Sequence, residues 1–204
     1  MTLLTAHHAD DQVETLMMRI NRGSGLAGLA GIRSQRVLAD EEPYVFLLRP
    51  LLAFRRHELR QLVLDAGIPF ADDPSNEDES YDRVRMRAQL AETAWLDVAA
   101  VAQSAEHLGR AASTLDSIAK SMWRQNSRKD GDGYLVPVAA WEEINGRLVK
   151  RAIEELGGSV TTGNAIAFAS KLVGEGARRN LAGVLVEHKG LHFRFSPEPP
   201  RRTG

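Results

Sequence analysis

The chain has 204 residues, 26 of them basic and 27 acidic, with a formal net charge of −1, 43% hydrophobic residues and no cysteine. This is the composition of an ordinary globular chain, and it excludes disulfide frameworks, thiolate metal centres and cysteine nucleophiles. No apolar run is long enough to span a bilayer, and Met1-Thr2-Leu3-Leu4 lacks the character of a secretory leader, so a cytoplasmic protein without a membrane partner is expected.

The distribution of charge says more than its sum. Twenty-one of the 26 basic residues are arginine, and the first lysine is Lys120. Genome composition explains such a bias as well as a preference for guanidinium forks on phosphate does. The arginines cluster at Arg55-Arg56 with Arg60, at Arg83, Arg85 and Arg87, at Arg178-Arg179 and at Arg201-Arg202.

In chain order, Leu3 and Leu4 open a short buried-strand pattern. A helix follows in which Val13, Leu16, Met17 and Ile20 form one apolar stripe, ended by Asn21-Arg22-Gly23-Ser24-Gly25. Leu26 to Ile32 is a Gly/Ala/Leu segment suited to close packing. Val45-Phe46-Leu47-Leu48 reads as a second buried strand. A helix from about Arg55 to Ala66 is capped by Gly67 and stopped by Pro69. A polar turn, Asp72-Asp73-Pro74-Ser75-Asn76, leads to the arginine cluster. From Asp97 to Met122 runs a long amphipathic helix, followed by a polar break at Asn126 to Gly133. Shorter helices are predicted over Trp141 to Leu156 and Ala165 to Val173. A hairpin turns on Lys189-Gly190. Trp123 and Trp141 are expected in the core, and a domain boundary falls near residue 92.

The chemistry-bearing residues concentrate at Thr5-Ala6-His7-His8-Ala9-Asp10-Asp11-Gln12-Val13-Glu14-Thr15, a strand-to-helix junction of the kind that carries sites in open α/β sheets. Asp11 and Glu14, three apart, share a helical face. Two readings stand side by side: first-turn carboxylates favoured by the helix dipole, with Asp10 as the cap, or a pair that holds Mg²⁺. His7 and His8 point in different directions, which suits one site contact and one packing role better than zinc. Arg22-Gly23-Ser24-Gly25 is either a helix C-cap or a backbone anion cradle. Arg83, Arg85 and Arg87 alternate, so an extended segment would align them as a phosphate-contact strip with Tyr81 available for stacking, whereas a helix would spread them.

The combination resembles the bacterial tRNA(Ile)-lysidine synthase family over about residues 2 to 90. The shared residues are the Thr5–Thr15 run, Arg19, Arg22-Gly23-Ser24-Gly25-Leu26, Gly28 to Gly31, Arg49-Pro50-Leu51-Leu52, Arg56, Glu58, Asp73-Pro74-Ser75-Asn76 with Asp78, and Tyr81, Arg83, Arg85 and Arg87. The resemblance implies an α/β fold: an incomplete parallel sheet of the PP-loop, adenine nucleotide α-hydrolase-like type over 1–92, and a mainly α-helical tRNA-binding region with a C-terminal hairpin over 93–204. It implies a ligase that uses ATP and Mg²⁺ to adenylate C2 of the wobble cytidine of tRNA(Ile), after which the amine of L-lysine displaces AMP. By resemblance Asp11 and Glu14 are the catalytic carboxylates, with Asp11 the expected Mg²⁺ ligand. His7, His8, Asp10, Arg22, Gly23, Ser24 and Gly25 line the nucleotide or substrate site. Arg55, Arg56, Tyr81, Arg83, Arg85 and Arg87 meet RNA. Homodimerisation is left open.

Two departures bear on this expectation. The family's Ser-Gly-Gly-x-Asp-Ser phosphate loop belongs upstream of the His-His segment and is absent, so a truncated chain that forms no lysidine alone is expected, with an exposed strand edge at Leu3-Leu4. Val84 stands where the family usually has asparagine. The competing readings are a non-catalytic tRNA-binding fragment, a degraded product without a role, or another PP-loop tRNA-modifying enzyme such as a thiolase, whose reliance on cysteine this chain does not share.

Overall fold

A computed structural model describes residues 1–39, 42–71 and 82–198. The chain divides into two compact units, Met1–Arg110 and Ala111–Gly204. Within the first, the order is β1 (Thr2–Leu4), α1 (Ala9–Asn21), α2 (Leu26–Leu29), β2 (Gln35–Ala39), β3 (Val45–Leu48), α3 (Arg56–Asp65) and α4 (Asp82–Ala91). α5 (Val98–Asn126) begins in this unit and ends in the next. Asp97 starts it by accepting the N–H groups of Ala99 and Ala100 at 2.9 and 3.1 Å, which satisfies two orphan donors of the first turn.

The three strands form one mixed sheet in the order β1-β3-β2. β1 and β3 run parallel with Leu3 opposite Leu47, and β2 runs antiparallel with Arg36 opposite the same Leu47. Leu47 is the one strand residue of this sheet that is buried, while Leu3 and Leu4 are about half exposed. β1 therefore reads as a buried strand by composition but lies at an edge, which is the exposure foreseen for Leu3-Leu4. The α1 stripe buries Val13 and Leu16 and leaves Ile20 exposed at the helix end. Small residues complete this core: Ala9, Ala30 and Ala105 are all buried.

The second unit carries β4 (Arg128–Asp130), β5 (Gly133–Pro137), α6 (Glu142–Glu155), α7 (Thr162–Ala169), β6 (Arg178–Leu181), β7 (Val184–Lys189) and β8 (His192–Pro197). The expected hairpin on Lys189-Gly190 is β7–β8, and three further strands widen it to an antiparallel sheet ordered β4-β5-β8-β7-β6. Strand alternation builds the core. Val136, Val184, Val186, Phe193 and Phe195 are buried, while their neighbours along each strand are less so. Ile144, Leu148, Val149, Ala152 and Ile153 of α6, with Ala165, Phe168 and Ala169 of α7, close the same core. The polar break at 126–133 is a hairpin whose turn uses Gly131 at φ 60°.

Tryptophan corrects one expectation. Trp123 packs partly buried against this core with its ring 5.2 Å from that of Tyr134, but Trp141 is 63% exposed. Trp141 is the N-cap residue of α6, where the helix needs its backbone carbonyl and leaves the indole outside. Among the described residues no helix is long and apolar enough to cross a membrane.

Candidate functional site

The site grows from the first turn of α1. His8, rather than Asp10, is the N-cap. Its N–H donates to Asp11 Oδ2 at 2.9 Å, and its Nδ1 accepts the N–H of Asp11 at 3.4 Å, a reciprocal capping box. The helix begins at Ala9, which places Asp10 inside the first turn and turns it toward α3. There Asp10 accepts the guanidinium of Arg55 (3.1–3.4 Å) and the backbone N–H of Arg56 at 2.7 Å. Burial pushes the Asp10 carboxyl up, but the Arg56 N–H and the Arg55 fork outweigh it and hold the group below its ordinary value.

Asp11 and Glu14 face α4 instead of solvent. Arg83 spans both: Nη2 donates to Asp11 Oδ1 and Nε to Glu14 Oε2, each at 2.8 Å. Arg87 completes Glu14, with Nε on Oε1 at 2.7 Å. Glu14 is 1% exposed. Two carboxylates and two guanidiniums thus neutralise one another in a partly buried cluster, and every carboxylate oxygen of the pair has an N–H donor. Glu14 and its neighbours raise the Arg87 pKa further. A helix, not an extended strip, carries the arginines. Arg83 and Arg87, four apart, therefore turn inward together, while Arg85 pairs with Asp82 on another face.

His7 bonds Thr5 Oγ1 through Nδ1 at 2.9 Å. Burial lowers its pKa; Asp11 opposes this, while Arg49, Arg83 and His8 add to it. The glycine-rich turn is used for capping. Gly23 closes α1 at φ 65° with its N–H on Ile20 O, and Gly25 is the N-cap of α2. Arg22, largely exposed, lies 3.6 Å from Asp82, and Ser24 N–H bonds Arg19 O at 3.0 Å. Asp73-Pro74-Ser75-Asn76, Asp78, Tyr81 and Arg201-Arg202 lie outside the described residues.

Two residues outside the expected site set, Gln12 and Arg19, hold the site together. Buried Gln12 donates from Nε2 to Ile32 O at 3.1 Å and accepts the Ile32 N–H, and Arg19 donates to Gly28 O and Gly31 O. Seven residues apart, they share one face of α1 and fasten the Gly/Ala/Leu segment to it. Gly31 is required there: at φ 62°, a Cβ would meet Gln12 Oε1 at 2.5 Å. The signal available in sequence was their helical spacing beside the apolar stripe.

Mg²⁺ does not fit these carboxylates as they stand. Their oxygens are committed to N–H donors, and no group of three or more potential metal ligands occurs among the described residues. What the pair does hold is a cation of another kind, a guanidinium.

Residues 1–94 match the PP-loop domain family. The chain is 39% identical over 202 residues to the tRNA(Ile)-lysidine synthase of Zymomonas mobilis, covering 98% of this chain and 61% of that protein. The enzyme of the same name from Novosphingobium aromaticivorans is 40% identical over 202 residues, covering 98% and 62%. That from Ruegeria pomeroyi is 35% identical over 205 residues, covering 97% and 48%. The chain thus spans about half to three-fifths of the length of these curated relatives.

Proposed function

The chain belongs to the tRNA(Ile)-lysidine synthase family of PP-loop proteins, and from that premise we propose that it serves ATP-dependent ligation of lysine to the wobble cytidine of tRNA(Ile) in the cytoplasm. In this reading the Asp11–Glu14 pair is the receptor for the cationic amine of L-lysine. The observation that carries it is Arg83, whose guanidinium bridges the two carboxylates at 2.8 Å each while its side chain stays 42% exposed. The pair already holds a guanidinium, a cation of the same charge as the lysine amine.

The chemistry then follows from the groups present. Adenylation joins the oxygen on cytidine C2 to the α-phosphorus of ATP as the bond to pyrophosphate breaks, which makes AMP the leaving group; the lysine amine then forms the new C–N bond as the C–O bond to AMP breaks. The ammonium must shed protons to attack. Asp11, the less buried carboxylate, is placed to take one as Arg83 swings off. Arg87 remains on Glu14 and keeps α4 in place. ATP and its Mg²⁺ belong to the family reaction.

Titration with L-lysine tests the reading. The Nε–Hε NMR signal of Arg83 is expected to shift with L-lysine and stay in place with L-norleucine, which lacks the side-chain amine. Equal response to both, or none to lysine, removes the amine-receptor role.

A further inference from the structure

The second unit sorts its cations onto two sides of one sheet. On the outer side, cross-strand register runs from Arg128 through Leu135 and Arg194 to Glu187 and Arg178. Counter-ions sit among them: Asp130 takes Arg194 at 2.6 Å and Glu187 takes Arg178 at 2.8 Å. The side that α5 covers is different. Lys120 and Arg124, four apart on α5 and both exposed, make no hydrogen bond, ion pair or ring contact among the described residues. Lys129, next to Arg128 on β4, alternates to this side, where its ammonium lies 5.4 Å from the ring centroid of Tyr134. That ring is 5.2 Å from the ring of Trp123, the neighbour of Arg124. Three cations thus gather at one corner. The nearby carboxylates are committed elsewhere: Asp116 to Arg147, Asp130 to Arg194, and Glu155, which accepts the Tyr134 hydroxyl, to Arg151. The helix dipole favours a cation in the last turn of α5 and so accounts for Arg124, but Lys120 precedes that turn and Lys129 follows the helix.

We propose that Lys120, Arg124 and Lys129 form a docking corner for the phosphate backbone of RNA, resting on the reading above that the chain acts on a tRNA. Cations without carboxylate partners displace condensed counter-ions from a phosphate chain, and that release drives binding. Lys120 and Arg124 are about 6 Å apart along the axis at 1.5 Å per residue, a span of about two phosphates at 3.4 Å of rise each. Trp123 and Tyr134 are packed against the core, so the corner grips backbone and reads no base. A membrane surface is the poorer match. No large hydrophobic side chain between residues 119 and 133 is exposed, so nothing there would enter the acyl boundary.

The test is fluorescence anisotropy of a tRNA(Ile) transcript titrated with the 204-residue chain across a salt series. Lys120→Gln, Arg124→Gln and Lys129→Gln together are expected to flatten the slope of log affinity against log salt by about 2–3, and each alone by about 0.7–0.9, the value of one phosphate contact. Between about 50 and 200 mM salt the unsubstituted chain then loses about 20–40-fold more affinity than the triple variant. A transcript of another tRNA is expected to show the same difference, because no base is read. The control, Arg128→Gln with Arg178→Gln and Arg194→Gln, removes equal charge from the outer side and is expected to change the slope by less than about 1. Equal flattening by both triples, or none by the first while tRNA still binds, overturns the docking corner and leaves the RNA-modifying function standing. Tighter binding to phosphatidylserine vesicles than to tRNA at equal salt overturns the choice of RNA. No tRNA binding by the unsubstituted chain at low salt overturns both.

Discussion

At the scale of single residues, the balance of buried charge governs. Glu14 is closed off from water and tolerated because two guanidiniums meet it, so removing one side leaves the other stranded. Glu14→Ala is expected to destabilise the first unit by about 3–5 kcal/mol in urea titration; a loss within experimental error would mean that the cluster contributes nothing to folding. Asp10 gives a pH signature. Its folded pKa lies below the ordinary 3.8, so its contribution is complete above that pH and is lost as pH falls through the folded value. Asp10→Asn is expected to cost about 1–3 kcal/mol at neutral pH, with the gap to the unsubstituted chain closing only below about pH 3.8. An unchanged gap down to pH 2 would contradict the linkage. Asp11 and Glu14 were legible as a pair from their spacing. Their counter-ions were not, because Arg83 and Arg87 lie about seventy residues away and their alternation with Arg85 fitted a strand as well as a helix.

Elements with a strong apolar period were readable: α1, α3, α5, α6 and the β7–β8 hairpin all carry one. β2, β4 and β6 were not, and the reason is physical. Gln35-Arg36, Arg128-Lys129-Asp130 and Arg178-Arg179-Asn180 are polar, solvent-facing strands at sheet edges, held by backbone pairing rather than by side-chain burial. Close helix contacts were equally silent. Gly146 of α6 faces α7 so tightly that a Cβ would lie 2.2 Å from Ile166 Cγ1 and 2.7 Å from its Cα. Alanine is the better helix former by about 1 kcal/mol, yet Gly146→Ala is expected to lower stability by about 1–3 kcal/mol through overpacking. A rise in the urea midpoint would show that the helix pair can part at little cost.

Across the whole molecule, the two units differ in what they bury. The second has branched and aromatic residues from two helices and three strands in one core; the first buries Val13, Leu16 and Leu47 with three alanines. Burial free energy scales with apolar area, so the first unit is the weaker of the two. Hydrogen exchange is expected to show α1 and β3 opening well before α6, β7 and β8. The reverse order, or one shared opening event for all of them, would refute this ranking. It also means that a single unfolding free energy does not describe this chain.

The three tryptophans decide how such an experiment can be watched. Trp95, the one indole of the first unit, is 83% exposed, and Trp141 is 63% exposed. Both already emit as solvated indoles in the native protein. Melting of the first unit will therefore pass almost without a change in fluorescence colour, and Trp123, packed at a tilt beside Tyr134, will redden when its own unit opens. An emission trace that looks like one clean late transition would be silent about the half of the molecule that holds the carboxylates.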